Sequence, residues 1–227
     1  MKKLILNFNS KDSKKIKNPK NFLGGKGANL SEMGRMGLPV PPGFTISTKV
    51  CEIFYKDKKK LNKNLISQIK KELKLIEKDV SKKFGDLKNP LLLSVRSGAR
   101  VSMPGMMDTI LNLGLNDKTV KALAIKTSNG RFAKDSYRRF IQMYGNVVMG
   151  VEGYHFEELI ENYKLTKGVL LDTDLDESDW DGLIEDFKRT VREKAKKDFP
   201  QDVHEQLLGA ISCLLYTSPS PRDSSES

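Results

Sequence analysis

Three glycines flank a lysine near the start of the chain, in the run Gly24-Gly25-Lys26-Gly27. Glycine lets the backbone turn tightly and lets N–H groups approach an anion. The helix predicted after this run would add the favourable potential of its N-terminus. Lys26 would bring a positive charge to the same phosphate. Because the run lacks the spacing of a Walker A loop and of a GxGxxG site, a glycine turn with a solvated lysine stays an alternative.

A second candidate follows an apolar run. Leu91–Val95 predicts a buried strand, and Arg96, Ser97 and Gly98 come directly after it. Ligands of α/β proteins bind at the carboxyl ends of strands, and the planar donor fork of an arginine suits phosphate oxygens. The residues alone leave open whether Arg96 binds a ligand or pairs with a carboxylate.

The segment from Val101 to Asn112 predicts either a loop over a ligand or a plain hairpin turn. Pro104-Gly105 fits the two central positions of a type II turn, in which glycine takes the positive φ. The methionines that flank this turn would make a flexible apolar cover. Methionine clusters more often belong to a core, so both interpretations stay open.

Two adjacent arginines, Arg138 and Arg139, lie in a segment whose spacing predicts a helix over 131–149. Neighbouring helical positions point about 100° apart, so at most one of the two faces a given ligand. Two surface arginines are the alternative. His155 and His204 have no acid or nucleophile near them in a recurring pattern, and we expect both at the surface or in packing contacts.

Hydrophobic spacing predicts two kinds of region to hold these residues. The first part combines short strands with a glycine-led helix and a long amphipathic helix over 61–80, which is typical of an α/β fold. The second part predicts helices over 117–127, 131–149, 156–164 and 179–199, the last with Ser178 as its N-cap. We therefore predict an α/β subdomain at 1–115, a helical subdomain at 116–200 and the start of a return helix at 201–213.

The last stretch of the chain, Leu214–Ser227, breaks this pattern because it is rich in serine and proline. Its composition predicts a disordered tail. It starts abruptly in the middle of an amphipathic helix, and it resembles translated adapter or vector sequence. We therefore expect residues 214–227 to be a non-native tail.

Composition excludes several classes of protein. The chain has 227 residues, of which 38% are hydrophobic, and this is enough for a buried core. No window approaches the roughly 18 apolar residues of a membrane span, and the N-terminus lacks the apolar stretch of a signal peptide. The two cysteines make neither a disulfide framework nor a zinc motif. We expect no metal ligands, no membrane partner and a cytoplasmic location.

The net charge raises the question of a nucleic-acid partner. Lysine and arginine number 40 against 29 acidic residues, a formal net charge of +11. Such an excess is found in nucleic-acid and anionic-surface binding modules. Most of these residues, however, are lysines at helical spacing, which is typical of a solvated helix face. We expect no nucleic-acid partner, and a lysine-rich binding module stays the alternative from another class.

Three stretches carry a family resemblance. FLGGKGANLSEMGRMGLPVPPGFTISTKVC, LLLSVRSGARVSMPGMMDTILNLGLND and RFAKDSYRRFIQMYGNVVMGV occur in the order and spacing seen in the pyruvate, phosphate dikinase family. The resemblance runs from Met1 to about Ile211 and includes FPQD at 199–202. Phosphoenolpyruvate synthases are similar around the lysine-glycine helix and the VRS strand but lack the MPGMMDT loop. A fragment of such a synthase is therefore the alternative.

The resemblance implies an enzyme that interconverts ATP, pyruvate and phosphate with AMP, phosphoenolpyruvate and pyrophosphate. It also implies an incomplete ATP-grasp-like subdomain with an all-helical inserted subdomain, and it makes Arg96 a catalytic residue. In the family, a central domain carries a phosphorylatable histidine and moves between the nucleotide site and a C-terminal barrel that binds pyruvate. By motif match, the residues expected to contact ATP are Gly25, Lys26, Gly27, Arg96, Ser97, Gly98, Gly105, Met106, Asp108, Thr109 and Arg139.

The family's chains are several times longer than this sequence. The second half of the ATP-grasp domain with its magnesium ligands, the phosphocarrier histidine motif and the barrel have no counterpart here. We therefore expect a fragment that is inactive alone and binds ATP weakly. The resemblance implies that Mg²⁺, pyruvate and phosphate are engaged only in the full-length enzyme, which is expected to be a homo-oligomer.

Overall fold

A computed structural model of the protein describes residues 4–8, 16–97 and 109–217. Contacts within the described residues divide them into two units. The first unit comprises 4–8, 16–81, 96–97 and 211–217, and the second comprises 82–95 and 109–210. Helices and small sheets occur together, so the mixed fold class predicted from the sequence is confirmed.

The first unit is built on a short antiparallel strand pair with three helices. Ile5 lies opposite Ile46 in this pair. Leu6 joins Leu23 and Ala28 in a buried apolar cluster, which attaches the first helix to the strands. The elements are β1 (Ile5–Asn7), α1 (Pro19–Arg35), β2 (Phe44–Ile46), α2 (Lys49–Lys56) and α3 (Lys63–Val80).

The amphipathic helix predicted over 61–80 is confirmed as α3. Its N-cap is Asn62, whose Oδ1 accepts a hydrogen bond from the Leu65 N–H at 2.9 Å. Lysines cover its exposed face, and burial of its aliphatic side chains stabilises it, since each is worth about 1.5–3 kcal/mol. The buried face holds Leu65, Ile69, Leu73 and Ile76.

The second unit combines short strands with a group of helices. Within it, α5 packs against α4, α7 and β6, so the fifth helix is central to the unit. The division between the units falls inside β5 and inside α8. The elements are β3 (Lys83–Phe84), β4 (Pro90–Leu91), β5 (Leu93–Arg96), β6 (Thr109–Leu113), α4 (Thr119–Thr127), α5 (Gly130–Val147), α6 (Tyr154–Lys167), α7 (Glu177–Ala195) and α8 (Val203–Thr217).

The helices predicted after residue 116 are all present, but α7 begins earlier than predicted. Asp176, not Ser178, is its N-cap, and one Asp176 oxygen accepts from the N–H groups of Ser178 and Asp179 at 2.8 and 3.1 Å. Lys167 and these N–H groups hold the pKa of the Asp176 carboxyl below its usual range. A carboxylate at this position also suits the positive end of the helix dipole.

The apolar run predicted as one buried strand is divided between two sheets. β4 pairs in parallel with β3, whereas β5 pairs with β6. Leu91 is buried, but Ser94 and Arg96 are exposed. The prediction of a single buried strand is therefore wrong. The pairing partner changes at Leu92, and alternate side chains of β5 point away from the core.

The predicted domain limits differ from the observed division. β6 ends before residue 115 but groups with the helices, because α5 packs directly against it. α8 continues to Thr217, since Leu214 and Leu215 extend its buried face into the stretch predicted as a tail. Residues 218–227 lie outside the described residues. Among the described helices, none is long and apolar enough to cross a membrane.

Candidate functional site

The glycine-lysine run lies inside α1, at a break in the helix. Gly24 has φ +71° and ψ 173°, so the helical conformation stops there and resumes at the next residue. The positive φ needs a glycine. The turn that begins at Gly25 therefore has the N–H groups of a helix start, which is a favourable place for an anion. Lys26 is exposed beside it.

Gly27 has a packing role that the sequence did not reveal. A Cβ placed on it would lie 2.7 Å from the Thr45 Cγ2 and 2.8 Å from the Thr45 Oγ1, which is closer than real Cβ atoms approach. The absence of a side chain thus lets α1 lie directly against β2. A Cβ on Gly25 would meet nothing within 4 Å. The two predicted ATP-contacting glycines therefore have different surroundings.

Replacing Gly27 by alanine is expected to destabilise the β1–β2 pair by about 1–3 kcal/mol, the usual cost of overpacking. Hydrogen exchange of the strand amides would measure this loss within the first unit. Gly25→Ala is the matched control and should leave exchange unchanged. Adding Thr45→Ala to Gly27→Ala should restore most of the protection. A Gly27→Ala protein as protected as the parent would contradict the packing role.

The second candidate, at the end of β5, is described only in part. Arg96 is the last residue of β5 and its side chain is exposed, while Ser97 is buried. Thr109 is the first residue of β6, which pairs with β5. The segment 98–108 connects these paired strands. The predicted contacts Gly98, Gly105, Met106 and Asp108 lie in it, outside the described residues.

The two adjacent arginines of α5 have opposite environments. Arg138 is buried, with its guanidinium carbon 4.8 Å from the centre of the Trp180 ring. It donates to Gln142 at 3.0 Å and to Asp135 at 2.6 Å. Burial lowers the pKa of the Arg138 guanidinium, and Asp135 opposes this shift. Arg138 is therefore part of the core, which is consistent with the prediction that only one arginine of the pair can face a ligand.

Arg139 is the exposed member of the pair, and its side chain is 62% accessible. It belongs to a stripe of α5 whose other members contact β6. On the same stripe, the Ser136 carbonyl accepts from the Asn112 side chain at 3.4 Å, and the Met143 sulfur accepts from the Leu111 N–H at 3.2 Å. Arg139 therefore belongs to the part of α5 that contacts β6, and its guanidinium pairs with Asp135 on the same helix.

The histidines take the places expected for them. The His155 ring lies 4.0 Å from the Tyr154 ring, and the His204 ring meets Phe84 edge-on at 5.6 Å. Within the described part of the chain, no group of three or more His, Cys, Asp or Glu side chains could hold a metal ion. No catalytic role is assigned to either histidine.

Sequence reasoning missed Asp135, which contacts both arginines. Its two oxygens accept from Arg138 at 2.6 Å and from the Arg139 Nε at 3.0 Å. The spacing held a usable signal, because residues three and four apart are neighbours on a helix. A carboxylate preceding two adjacent arginines by three and four positions can reach both of them.

A known family matches the part of the chain that contains the glycine-lysine run. The family model is described as "Pyruvate phosphate dikinase, AMP/ATP-binding domain", and it matches residues 20–72. This stretch includes Lys26, whereas Arg96 and Arg139 follow it in sequence.

Curated relatives extend the match over most of the chain. Pyruvate, phosphate dikinase from Clostridium symbiosum is 50% identical over 204 residues, which is 89% of this chain and 23% of that protein. The chain matches the N-terminal part of pyruvate, phosphate dikinase. The chloroplastic pyruvate, phosphate dikinase of Flaveria pringlei is 50% identical over 221 residues, which is 97% of this chain and 23% of that protein. The pyruvate, phosphate dikinase of Rhizobium meliloti is 46% identical over 222 residues, which is 98% of this chain and 25% of that protein.

The resemblance predicted from the three motif stretches is therefore confirmed. The chain spans about a quarter of the length of these pyruvate, phosphate dikinases, between 23% and 25%. The comparisons match stretches of the chain rather than single residues, so the individual ATP contacts stay predictions.

Proposed function

We propose that this chain forms the N-terminal, ATP-binding part of a pyruvate, phosphate dikinase. The full enzyme would interconvert ATP, pyruvate and phosphate with AMP, phosphoenolpyruvate and pyrophosphate. The observation that carries the proposal is the identity of 46–50% to enzymes of that name over 89–98% of the chain. The part played by this chain is to bind the nucleotide, and by itself it completes no phosphoryl transfer.

Lys26 and Arg96 are the residues proposed to bind the phosphates of ATP. Both side chains are exposed and both belong to the first unit. Lys26 stands at the restarted turn of α1, where N–H groups and a positive charge act on the same anion. Arg96 ends a strand and offers a planar donor fork. Phosphoryl transfer depends mainly on such positioning and charge neutralisation, so these two roles suit the proposed reaction.

The same proposal includes the architecture, further ligands, oligomeric state and location that the resemblance implies for the full enzyme. They are an ATP-grasp-like architecture, Mg²⁺, pyruvate and phosphate as further ligands, a homo-oligomeric state and a cytoplasmic location. Among the described residues, no group of three or more His, Cys, Asp or Glu side chains could hold a metal ion. We therefore assign no magnesium ligand and no metal-dependent step to residues 4–8, 16–97 or 109–217.

An ATP titration of the chain followed by NMR tests this proposal. Lys26→Ala should weaken ATP binding about tenfold, since a hydrogen bond to a charged group is worth about 1.5–3 kcal/mol. Lys70→Ala is the matched control, because it removes an exposed lysine from α3 and should leave the affinity unchanged. Equal losses in both variants would contradict a specific phosphate site.

The same protein titrated with duplex DNA separates the proposal from the lysine-rich binding module. A nucleic-acid module predicts tight binding whose affinity falls steeply with salt. The dikinase proposal predicts a preference for ATP and no tight duplex binding. Tight and strongly salt-dependent association with the duplex would favour the module instead.

A further inference from the structure

Asp135 forms an ion pair with each of the two adjacent arginines of α5, although Arg138 is buried and Arg139 is exposed. One oxygen accepts from the Arg138 Nη2 at 2.6 Å, and the other accepts from the Arg139 Nε at 3.0 Å. The carboxylate is 20% accessible, whereas Arg138 is buried and Arg139 is 62% accessible. A single side chain thus connects an arginine of the core to an arginine of the surface.

The ion pair between Asp135 and Arg139 is made through Nε, the guanidinium nitrogen nearest the backbone. Because Asp135 accepts from Nε, the terminal amino groups lie beyond the contact and keep their donor fork. Among the described residues, Asp135 is the one carboxylate that pairs with Arg139. A guanidinium held through Nε presents its two terminal groups in a fixed direction, which is the arrangement that binds phosphate oxygens in pairs.

At this contact, two guanidinium groups face the single carboxylate of Asp135. Arg138 neutralises Asp135 at 2.6 Å, so Arg139 keeps its charge for a ligand. Asp172 stands farther from Arg138, at 3.9 Å, and Lys164 lies 3.4 Å from Asp172. Asp135 therefore orients Arg139 without cancelling its attraction for an anion.

We propose that Asp135 is a positioning residue that fixes Arg139 for contact with a phosphate of ATP. This inference rests on the proposed function and on the expectation, from the family resemblance, that Arg139 contacts the nucleotide. Arg139 lies on the stripe of α5 between Ser136 and Met143, and both of these contact β6. Without Asp135, the exposed side chain loses the contact that holds it against the preceding turn of α5. Binding ATP then requires ordering a long side chain, which weakens the affinity.

A purely structural role for Asp135 is the competing interpretation, because Asp135 also supports the buried Arg138. The two roles differ in what they predict for Arg139. A structural role lowers the stability of the second unit, and it changes ATP affinity equally whether or not Arg139 is present. A positioning role acts through Arg139 and disappears when Arg139 is removed.

ATP titrations of Asp135→Asn, Arg139→Ala and the double variant distinguish these roles. Asp135→Asn should weaken ATP binding about 3- to 10-fold, the effect of ordering one flexible side chain. Arg139→Ala should weaken it about tenfold, and the double variant should bind ATP as Arg139→Ala does. A further loss in the double variant, or an Asp135→Asn affinity equal to or above that of the parent, would overturn the proposal.

The matched control is a second ion pair on α7, with the same exposure but made through a terminal nitrogen of its arginine. Asp186 accepts from Arg189 at 2.6 Å, and the accessible fractions of 20% and 62% equal those of Asp135 and Arg139. Asp186→Asn should leave ATP affinity unchanged. An equal loss in Asp186→Asn would show that any broken surface pair has this effect, and the proposal would fail.

The Arg139 Nε–H signal in NMR reads the ion pair without ATP. It should exchange slowly with solvent in the parent and in Asp186→Asn, and quickly in Asp135→Asn.

Where Asp135→Asn does not fold, Asp135→Glu keeps the charge and displaces it by one methylene, and a smaller loss of ATP affinity is expected. If Lys26→Ala and Arg139→Ala weaken ATP binding but the Asp135 variants do not, this inference alone fails. If none of these variants changes ATP binding, the proposed function fails with it.

Discussion

Replacing Gln206 by leucine is expected to lower the free energy of unfolding of the second unit by about 3–5 kcal/mol. Gln206 is fully buried near the start of α8. Its side-chain oxygen accepts from the Gly114 N–H at 3.1 Å, and its amide nitrogen donates to the carbonyls of Leu115 and Pro200 at 2.9 and 2.8 Å. One side chain thus satisfies three backbone groups from two segments.

The loss is large because leucine removes all three hydrogen bonds, two of them to the buried backbone of Gly114 and Leu115. A buried backbone group without a partner costs about 1–3 kcal/mol, and the similar volume of leucine offsets only part of this. The partners join the turn after β6 to the segment before α8, so the substitution also loosens the attachment of α8 to this turn within the second unit.

The fluorescence of Trp180 measures this change in the free energy of unfolding. Trp180 is the one tryptophan of the chain and is fully buried in the second unit, so its fluorescence during urea unfolding reports on that unit. Glu205→Leu introduces the same residue at the neighbouring exposed position and should cost less than about 1 kcal/mol. A Gln206→Leu protein that unfolds at the urea concentration of the parent would show that the three contacts contribute nothing.

The helices could be predicted from the sequence because their signal is local. Apolar residues at steps of three and four identify α3, and its buried face confirms them. Helix starts were less accurate, as the N-cap at Asp176 in place of Ser178 shows. Asp, Ser and Asn all make good caps, and only the backbone conformation decides between neighbouring candidates.

The strands could not be predicted equally well, because pairing depends on residues far away in sequence. Leu91–Val95 is one apolar run, yet β4 pairs with β3 and β5 pairs with β6. Gln206 shows the same limit, since nothing in its own neighbourhood indicates partners about ninety positions earlier. Composition and spacing describe a segment, whereas these contacts depend on the tertiary fold.

The candidate site was predictable in its residue types but not in their division of roles. The sequence showed glycines that permit close approach, and the structure shows that Gly27 approaches Thr45 of the protein itself. It showed two adjacent arginines with nothing to distinguish them, whereas the structure buries Arg138 against Trp180. A buried arginine and an exposed one look alike in sequence, because the decisive partner, Trp180, is supplied by another helix.

Arg96→Ala is expected to reduce phosphoryl transfer from ATP about 100- to 1000-fold in a complete dikinase, the usual loss when a donor to developing charge is removed. A chimera tests this: residues of this chain replace the matched N-terminal region of the Clostridium symbiosum enzyme, to which they are 50% identical over 204 residues. Because the Arg96 side chain is exposed, its removal should leave the melting temperature unchanged.

The design of this experiment separates a catalytic role from general damage. In the proposed enzyme, pyruvate is phosphorylated at a different site from the one that binds ATP, so exchange of label between pyruvate and phosphoenolpyruvate should proceed normally in Arg96→Ala. Arg96→Lys keeps the charge but loses the planar fork, and it should recover only part of the ATP-dependent rate, because a lysine binds phosphate as a point charge. Near-normal transfer in Arg96→Ala would remove Arg96 from the reaction, and loss of both half-reactions would point to a disrupted fold. Only loss of the ATP-dependent half with the pyruvate half intact supports Arg96 as the residue that neutralises the transferring phosphate.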